Sequence, residues 1–129
     1  MKKHGLEDQA VEMMHVAMTT DKPNTYLSDS NINLVGGDMS RRASEELYQT
    51  TGVKPEQVDV VELHDCFSAN ELVTYEAIGL CGEGEAGRFI DNGDNTYGGR
   101  VVVNPSGGLI SKGHPLGATG IAQLTEIVW

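Results

Sequence analysis

The sequence predicts an α/β protein, from two strand-to-helix junctions that each carry a histidine. The first is the valine-rich run Val58-Asp59-Val60-Val61-Glu62-Leu63. It reads as a short strand and runs straight into His64-Asp65-Cys66-Phe67, ahead of a helical pattern. The second is Val101-Val102-Val103, followed by the glycine-rich stretch Gly107–Gly120 and an apolar tail with helical spacing. Strand, glycine-rich turn, then helix is how α/β proteins present chemistry at the carboxyl edge of a sheet. Two such ends, each carrying a histidine, can converge in an α/β sheet.

The elements follow in order. Residues 6–19 read two ways: Leu, Glu, Gln, Ala and Met favour helix, while Val11, Met13 and Ala17 fit one face of a strand. Residues 20–37 are polar and turn-rich, which predicts a loop with at most a short helical turn. Ser40 is a suitable N-cap for a helix over Arg41–Thr51, with Ala43, Leu47 and Tyr48 on its buried face and Gly52 ending it. Lys54-Pro55-Glu56-Gln57 turns the chain into the Val58 strand, completing half of a βαβ unit. Leu72, Val73, Tyr75, Ala77 and Ile78 give a helix from Ser68 that Gly79 stops. Its N-terminus points toward Cys66, a placement that lowers a thiol pKa. Residues 82–100 are acidic and glycine-rich, with Asn-Gly and Gly-Gly turn signals.

With 129 residues the chain makes one domain, 1–129, and is long enough to bury a core. A net charge of −10 argues against nucleic acid or an anionic membrane as a partner. Two cysteines, Cys66 and Cys81, read as free thiols of a reducing compartment, with Cys81 small, packed and inert. The start carries no apolar signal region, no run reaches membrane-span length, and the end shows no peroxisomal tripeptide. A cytoplasmic location is expected, or a peroxisomal one in a eukaryote.

Three motif readings fail on spacing. Gly108–Gly113 has P-loop glycines, but His114-Pro115 stands where Lys-Ser/Thr is required. Asp91–Gly99 puts Gly93, Thr96 and Val102 at positions 3, 6 and 12 of a calcium loop, which needs acidic or amide groups at 3, glycine at 6 and glutamate at 12. His64, Cys66 and His114 lack a placed fourth ligand for zinc, so no metal is expected.

The boxes themselves resemble a known family. His64-Asp65-Cys66-Phe67, with Ser68-Ala69-Asn70-Glu71 after it, resembles the HDCF box of the sterol-carrier-protein-type thiolases. Asn104-Pro105-Ser106-Gly107-Gly108 and Gly113-His114-Pro115-Leu116-Gly117-Ala118-Thr119-Gly120 resemble the NPSGG and GHP boxes of thiolases generally. The resemblance includes Asp91–Gly99 and extends, more weakly, across nearly the whole chain.

It implies a thiolase-like carboxyl-terminal half-domain, βαβαβα with a mixed sheet, whose first strand runs from about Val11 to Met18 with His15 in it. It further implies that the amino-terminal half and the last strands are absent. Apolar surface on Ile121, Ile127, Val128 and Trp129 is then expected to lie bare, leaving the chain marginally stable or partner-dependent.

The implied chemistry is cleavage of 3-oxoacyl-CoA by coenzyme A, or its reverse. His114 and His64 would serve the first oxyanion site, with His114 beside the nucleophile, and Cys66 would be the second acid/base. Asn104, Ser106, Gly107 and Gly113 would bind substrate, and Lys112 would meet the anionic coenzyme A. The family's nucleophilic cysteine box is missing, so the chain alone is expected to be inactive. Its partners would be an acyl-CoA and either a homodimer mate of the full-length protein or a chain carrying the amino-terminal half. The alternatives are a thiolase-fold, CoA-dependent steroid side-chain aldolase subunit and a non-catalytic fragment or binding subunit.

Overall fold

A computed structural model describes residues 2–129; Met1 lies outside it. The helices are α1 (Pro23–Leu27), α2 (Asn31–Leu34), α3 (Gly37–Thr51), α4 (Ser68–Ala77), α5 (Ala86–Asp91), α6 (Gly108–Lys112) and α7 (Thr119–Val128). The strands are β1 (Val60–Val61), between α3 and α4, and β2 (Val102–Val103), between α5 and α6. They pair in parallel, Val60 with Val102 and Val61 with Val103. A parallel pair needs a long crossover, which α4 and α5 supply.

The core lies on this crossover. Leu63, Tyr75, Leu80, Ala86, Phe89 and Val101 bury together, with Val58, Val61, Ile78, Cys81 and Val103 packed against them. The Tyr75 hydroxyl donates to Glu71 and accepts from Asn95 Nδ2 at 3.1 Å, so its polar end is satisfied inside the core. Arg100 stacks 5.5 Å from the Phe89 ring centroid and donates to the Leu80 carbonyl at 2.7 Å. Helix α3 packs on α4, and Tyr48 pins the contact by donating to the Ile78 carbonyl at 2.8 Å.

Several sequence expectations are corrected. The first strand over Val11–Met18 does not form: no ladder or helix occupies residues 10–22. A strand exists only where a neighbour pairs its backbone, and among the described residues β1 and β2 pair only with each other. The alternation survives without the ladder. His15, Ala17 and Thr19 are half-buried while Met14, Val16 and Met18 are exposed. His15 is therefore not in a sheet; its Nε2 lies 3.1 Å from Glu46 of α3.

Helix α3 begins at Gly37, ahead of the expected Ser40 cap. Gly36 turns with φ 93°, and Asp38 then sits in the first turn, where it accepts from Arg42 Nε at 2.8 Å. Gly52 ends α3 at φ 74°, as expected. The loop over 20–37 holds two short helices, one opened by Pro23 and the other by Ser30, whose hydroxyl accepts from Asn33 N. Helix α5 stands in the region read as turns. Its anchor is Phe89, and Glu76 Oε1 accepts from Ala86 N at 3.2 Å from ten residues upstream.

Candidate functional site

The two boxes lie side by side because side chains continue what the short ladder starts. In the ladder, Val102 N donates to Asp59 O and Asn104 N to Val61 O. Beyond it Asn104 Oδ1 accepts from Leu63 N at 2.8 Å, and Asn104 takes φ 48° to turn the chain out of β2. Glu62 then receives Ser106 N at 2.9 Å and Ser106 Oγ at 2.8 Å through its two oxygens. Buried Asp65 accepts from Leu109 N at 2.6 Å. A Cβ on Gly108 would overlap the Asp65 carboxylate, and Gly108 holds φ 65°, so that position demands glycine. The tied residues are 41 and 44 positions apart in sequence.

This zipper sets His64 against His114. Their ring centroids are 4.7 Å apart, edge to face at 88°. His64 is exposed and its carbonyl accepts from Asn70 Nδ2 at 2.6 Å, which fixes the loop at the start of α4. His114 is half-buried, with Nδ1 2.8 Å from Thr119 Oγ1. Cys66 is half-buried just before α4. His64 and Cys66 share the wall of a cavity of about 840 Å³ bounded by α3 and α4, to which Met39, Leu47, Phe67 and Ile78 contribute.

The remaining expected residues divide. Asn104 and Ser106 spend their side-chain oxygens on the zipper, and Gly107, at φ 92°, opens α6. Lys112 and Gly113 border a separate cavity of about 120 Å³ with Pro115, Thr119 and Gln123. Cys81 is half-buried on the core, where burial first, then the Glu76 and Glu85 carboxylates, push its thiol pKa up against the opposing pull of Arg100.

Sequence reasoning gave no role to Glu62, Asp65, Asn70 or Thr119. Asp65 and Thr119 stand inside the recognised boxes, and a polar residue beside each box histidine, adjacent for Asp65 and five positions on for Thr119, is the signal that could have found them. Among the described residues, no group of three His, Cys, Asp or Glu side chains is placed to hold a metal, and no helix is long and apolar enough to cross a membrane.

An imidazole and a thiol just past β1, with a second imidazole brought to them from beyond α6, define an α/β domain that gathers titratable side chains near the carboxyl edge of its parallel strands. The chain belongs to the family described as thiolase C-terminal domain-like, whose model matches residues 24–129. It is similar to sterol carrier protein 2 of Rattus norvegicus, 59% identical over 129 residues, which is all of this chain and 24% of that protein. Non-specific lipid-transfer protein-like 2 of Caenorhabditis elegans is 52% identical over 98% of this chain and 31% of its own length. Benzoylsuccinyl-CoA thiolase subunit BbsB of Thauera aromatica is 45% identical over 74% of this chain and 25% of its own length. The chain thus spans roughly a quarter to a third of these relatives.

Proposed function

We propose that this chain supplies the acid–base part of an acyltransferase site that cleaves 3-oxoacyl-CoA with coenzyme A into acyl-CoA and acetyl-CoA. The observation that carries the reading is the 4.7 Å approach of His64, just past β1, and His114, just past α6, with Cys66 two residues from His64. A nucleophilic cysteine from outside this chain gives its thiol proton to His114 and attacks the 3-oxo carbon, the C2–C3 bond breaks, and the acyl group stays on that cysteine as a thioester. His64 and the protonated His114 donate hydrogen bonds to the oxyanion, and His114 returns its proton to the cysteine sulfur when the acyl group leaves it. Cys66 protonates the departing acetyl-CoA enolate at carbon, then takes the proton of the incoming CoA thiol, whose sulfur receives the acyl group. Ser106, Asn104, Gly107 and Gly113 shape the substrate loop, and Lys112 offers positive charge to coenzyme A. The domain is a thiolase carboxyl-terminal half-domain that meets its nucleophile in a longer protein, in its homodimer or in a partner chain, at a cytoplasmic or peroxisomal location.

The test is thiolysis of a 3-oxoacyl-CoA by this chain mixed with a separately produced segment carrying the cysteine box. Turnover that disappears in Cys66→Ala and His114→Ala supports the reading; a stable complex without turnover sinks it. A second reading, a non-catalytic lipid-binding chain, is favoured by the apolar wall of the 840 Å³ cavity and by the lipid-transfer name of one relative. It requires a fatty acyl probe to bind while Cys66→Ala and His114→Ala leave that binding unchanged.

A further inference from the structure

His114 has two ring nitrogens, and the chemistry open to it depends on which one carries the proton. Nδ1 lies 2.8 Å from Thr119 Oγ1. Thr119 is buried, 7% exposed, and is the first residue of α7. Its hydroxyl has a single proton, and the Pro115 carbonyl one turn back lies 3.2 Å from Oγ1 in donor geometry. With that proton directed at Pro115, Oγ1 meets Nδ1 as an acceptor, so Nδ1 must bring the hydrogen. The spacing is built into the box. His114, Pro115 and Thr119 lie within six residues, and α7 begins where the hydroxyl is needed.

We propose that Thr119 is the positioning residue of His114: it holds the Nδ1–H tautomer and leaves Nε2 with a free lone pair. Neutral His114 then accepts a proton at Nε2, and once protonated it donates from Nε2 without turning its ring. The Pro115 carbonyl, Thr119 Oγ1 and His114 Nδ1 form a one-way relay in which each donor has one acceptor. The charged and titratable groups facing it are His64, in ring contact with His114, and Lys112, which borders the small cavity with Thr119. Residue 119 requires a hydroxyl. Serine retains the relay, while valine matches the shape of threonine and breaks it.

The tautomer is read directly by ¹⁵N-edited NMR of the histidine rings in this chain, in alkaline buffer where the ring is neutral. The expected spectrum of the unaltered chain shows a pyrrole-type Nδ1 and a pyridine-type Nε2 for His114, unchanged in Thr119→Ser. Thr119→Val is expected to give mixed tautomers at His114 and to leave His15 as it was. A pyridine-type Nδ1 in the unaltered chain overturns the proposal whether or not the valine variant folds, and so does a folded Thr119→Val with the original pattern.

The catalytic consequence rests on the acyl-transfer reading and is measured separately, in the complex used to test that reading. There Thr119→Val is expected to lower kcat by about tenfold or more with little change in KM, as a misprotonated base does, while Thr119→Ser stays close to the unaltered complex. A complex inactive in every form, with the expected NMR pattern, removes the acyl-transfer reading and leaves the tautomer assignment standing. Full activity in Thr119→Val overturns the catalytic role of the relay.

Discussion

Replacing Asp65 by alanine tests the claim that side chains hold the two boxes together. Asp65 is 4% exposed and its Oδ1 takes the Leu109 amide at 2.6 Å. Alanine removes a charge-assisted hydrogen bond and strands a buried N–H, a loss of about 2–3 kcal/mol. With a urea m-value of roughly 1–3 kcal/mol/M for a chain of this size, the unfolding midpoint drops by about 0.7–3 M. The sharper measurement couples this change to Gly108. Alanine at 108 must hold φ 65°, at about 1–2 kcal/mol, and its Cβ also runs into the Asp65 carboxylate. In an Asp65→Ala background that overlap is gone and only the backbone strain remains. The double variant is therefore expected to be more stable than the sum of the single losses implies, by about 1 kcal/mol or more. Circular dichroism through urea titrations of the four proteins reads this cycle. Strict additivity, or an unchanged midpoint in Asp65→Ala, would falsify the interlock.

Other variants probe separate parts. Asn104→Ala loses the bond to Leu63 N and must hold φ 48° without its amide, costing about 2 kcal/mol in a denaturation curve, whereas Asn104→Gly relieves the backbone and costs less. Tyr75→Phe leaves the Asn95 amide without its acceptor and is expected to lose about 1–2 kcal/mol by the same measurement. The Cys81 thiol pKa is raised in the folded chain, chiefly by burial, so the folded state holds that proton more tightly than the unfolded one. The stabilisation is complete below the ordinary thiol pKa and is lost as pH rises through the raised value. Midpoints measured across that window should fall in the unaltered chain and fall less in Cys81→Ala.

The junctions were legible in the sequence because each carries its own local code. Val58–Leu63 and Val101–Val103 are valine-rich runs, Gly52 and Gly79 mark where α3 and α4 end, and both His64 and His114 sit in recognisable boxes. What escaped was non-local. The strand expected over Val11–Met18 has the right alternation, but forming it takes a neighbour that the described residues do not supply. Helix α5 has a weak apolar pattern of its own, and its first amide is capped by Glu76 of another helix. Local propensity put the start of α3 at Ser40, whereas a left-handed turn at Gly36 sets it earlier. Among site residues, His64, Cys66 and His114 are the reactive types and draw attention, while Asp65 and Thr119 act through partners that become visible only once the chain is folded.

The size of the ladder explains why those partners matter. Two paired residues per strand make a very short sheet, and an isolated strand pair is at best marginally stable. Such a ladder cannot by itself hold two rings at a fixed separation 4.7 Å apart. Each of these further ties joins a side-chain oxygen of one strand-to-loop segment to a backbone amide of the other: Asn104 to Leu63, Glu62 to Ser106, Asp65 to Leu109. Backbone amides move with the main chain, so these bonds fix the paths of both loops, and the histidines follow from the paths. The exposed apolar side chains Ile121, Ile127 and Val128 of α7, and Trp129 just after it, lie beyond the last tie. Order in the site therefore ends where the ties end. Loosening is expected to begin in α7 and to reach His114 through Thr119 before it reaches His64, whose loop is held by Asn70. Hydrogen exchange resolves that sequence: α7 amides should exchange first and the Leu63 and Leu109 amides last. Leu109 exchanging as fast as α7 would show that the zipper does not hold the loop.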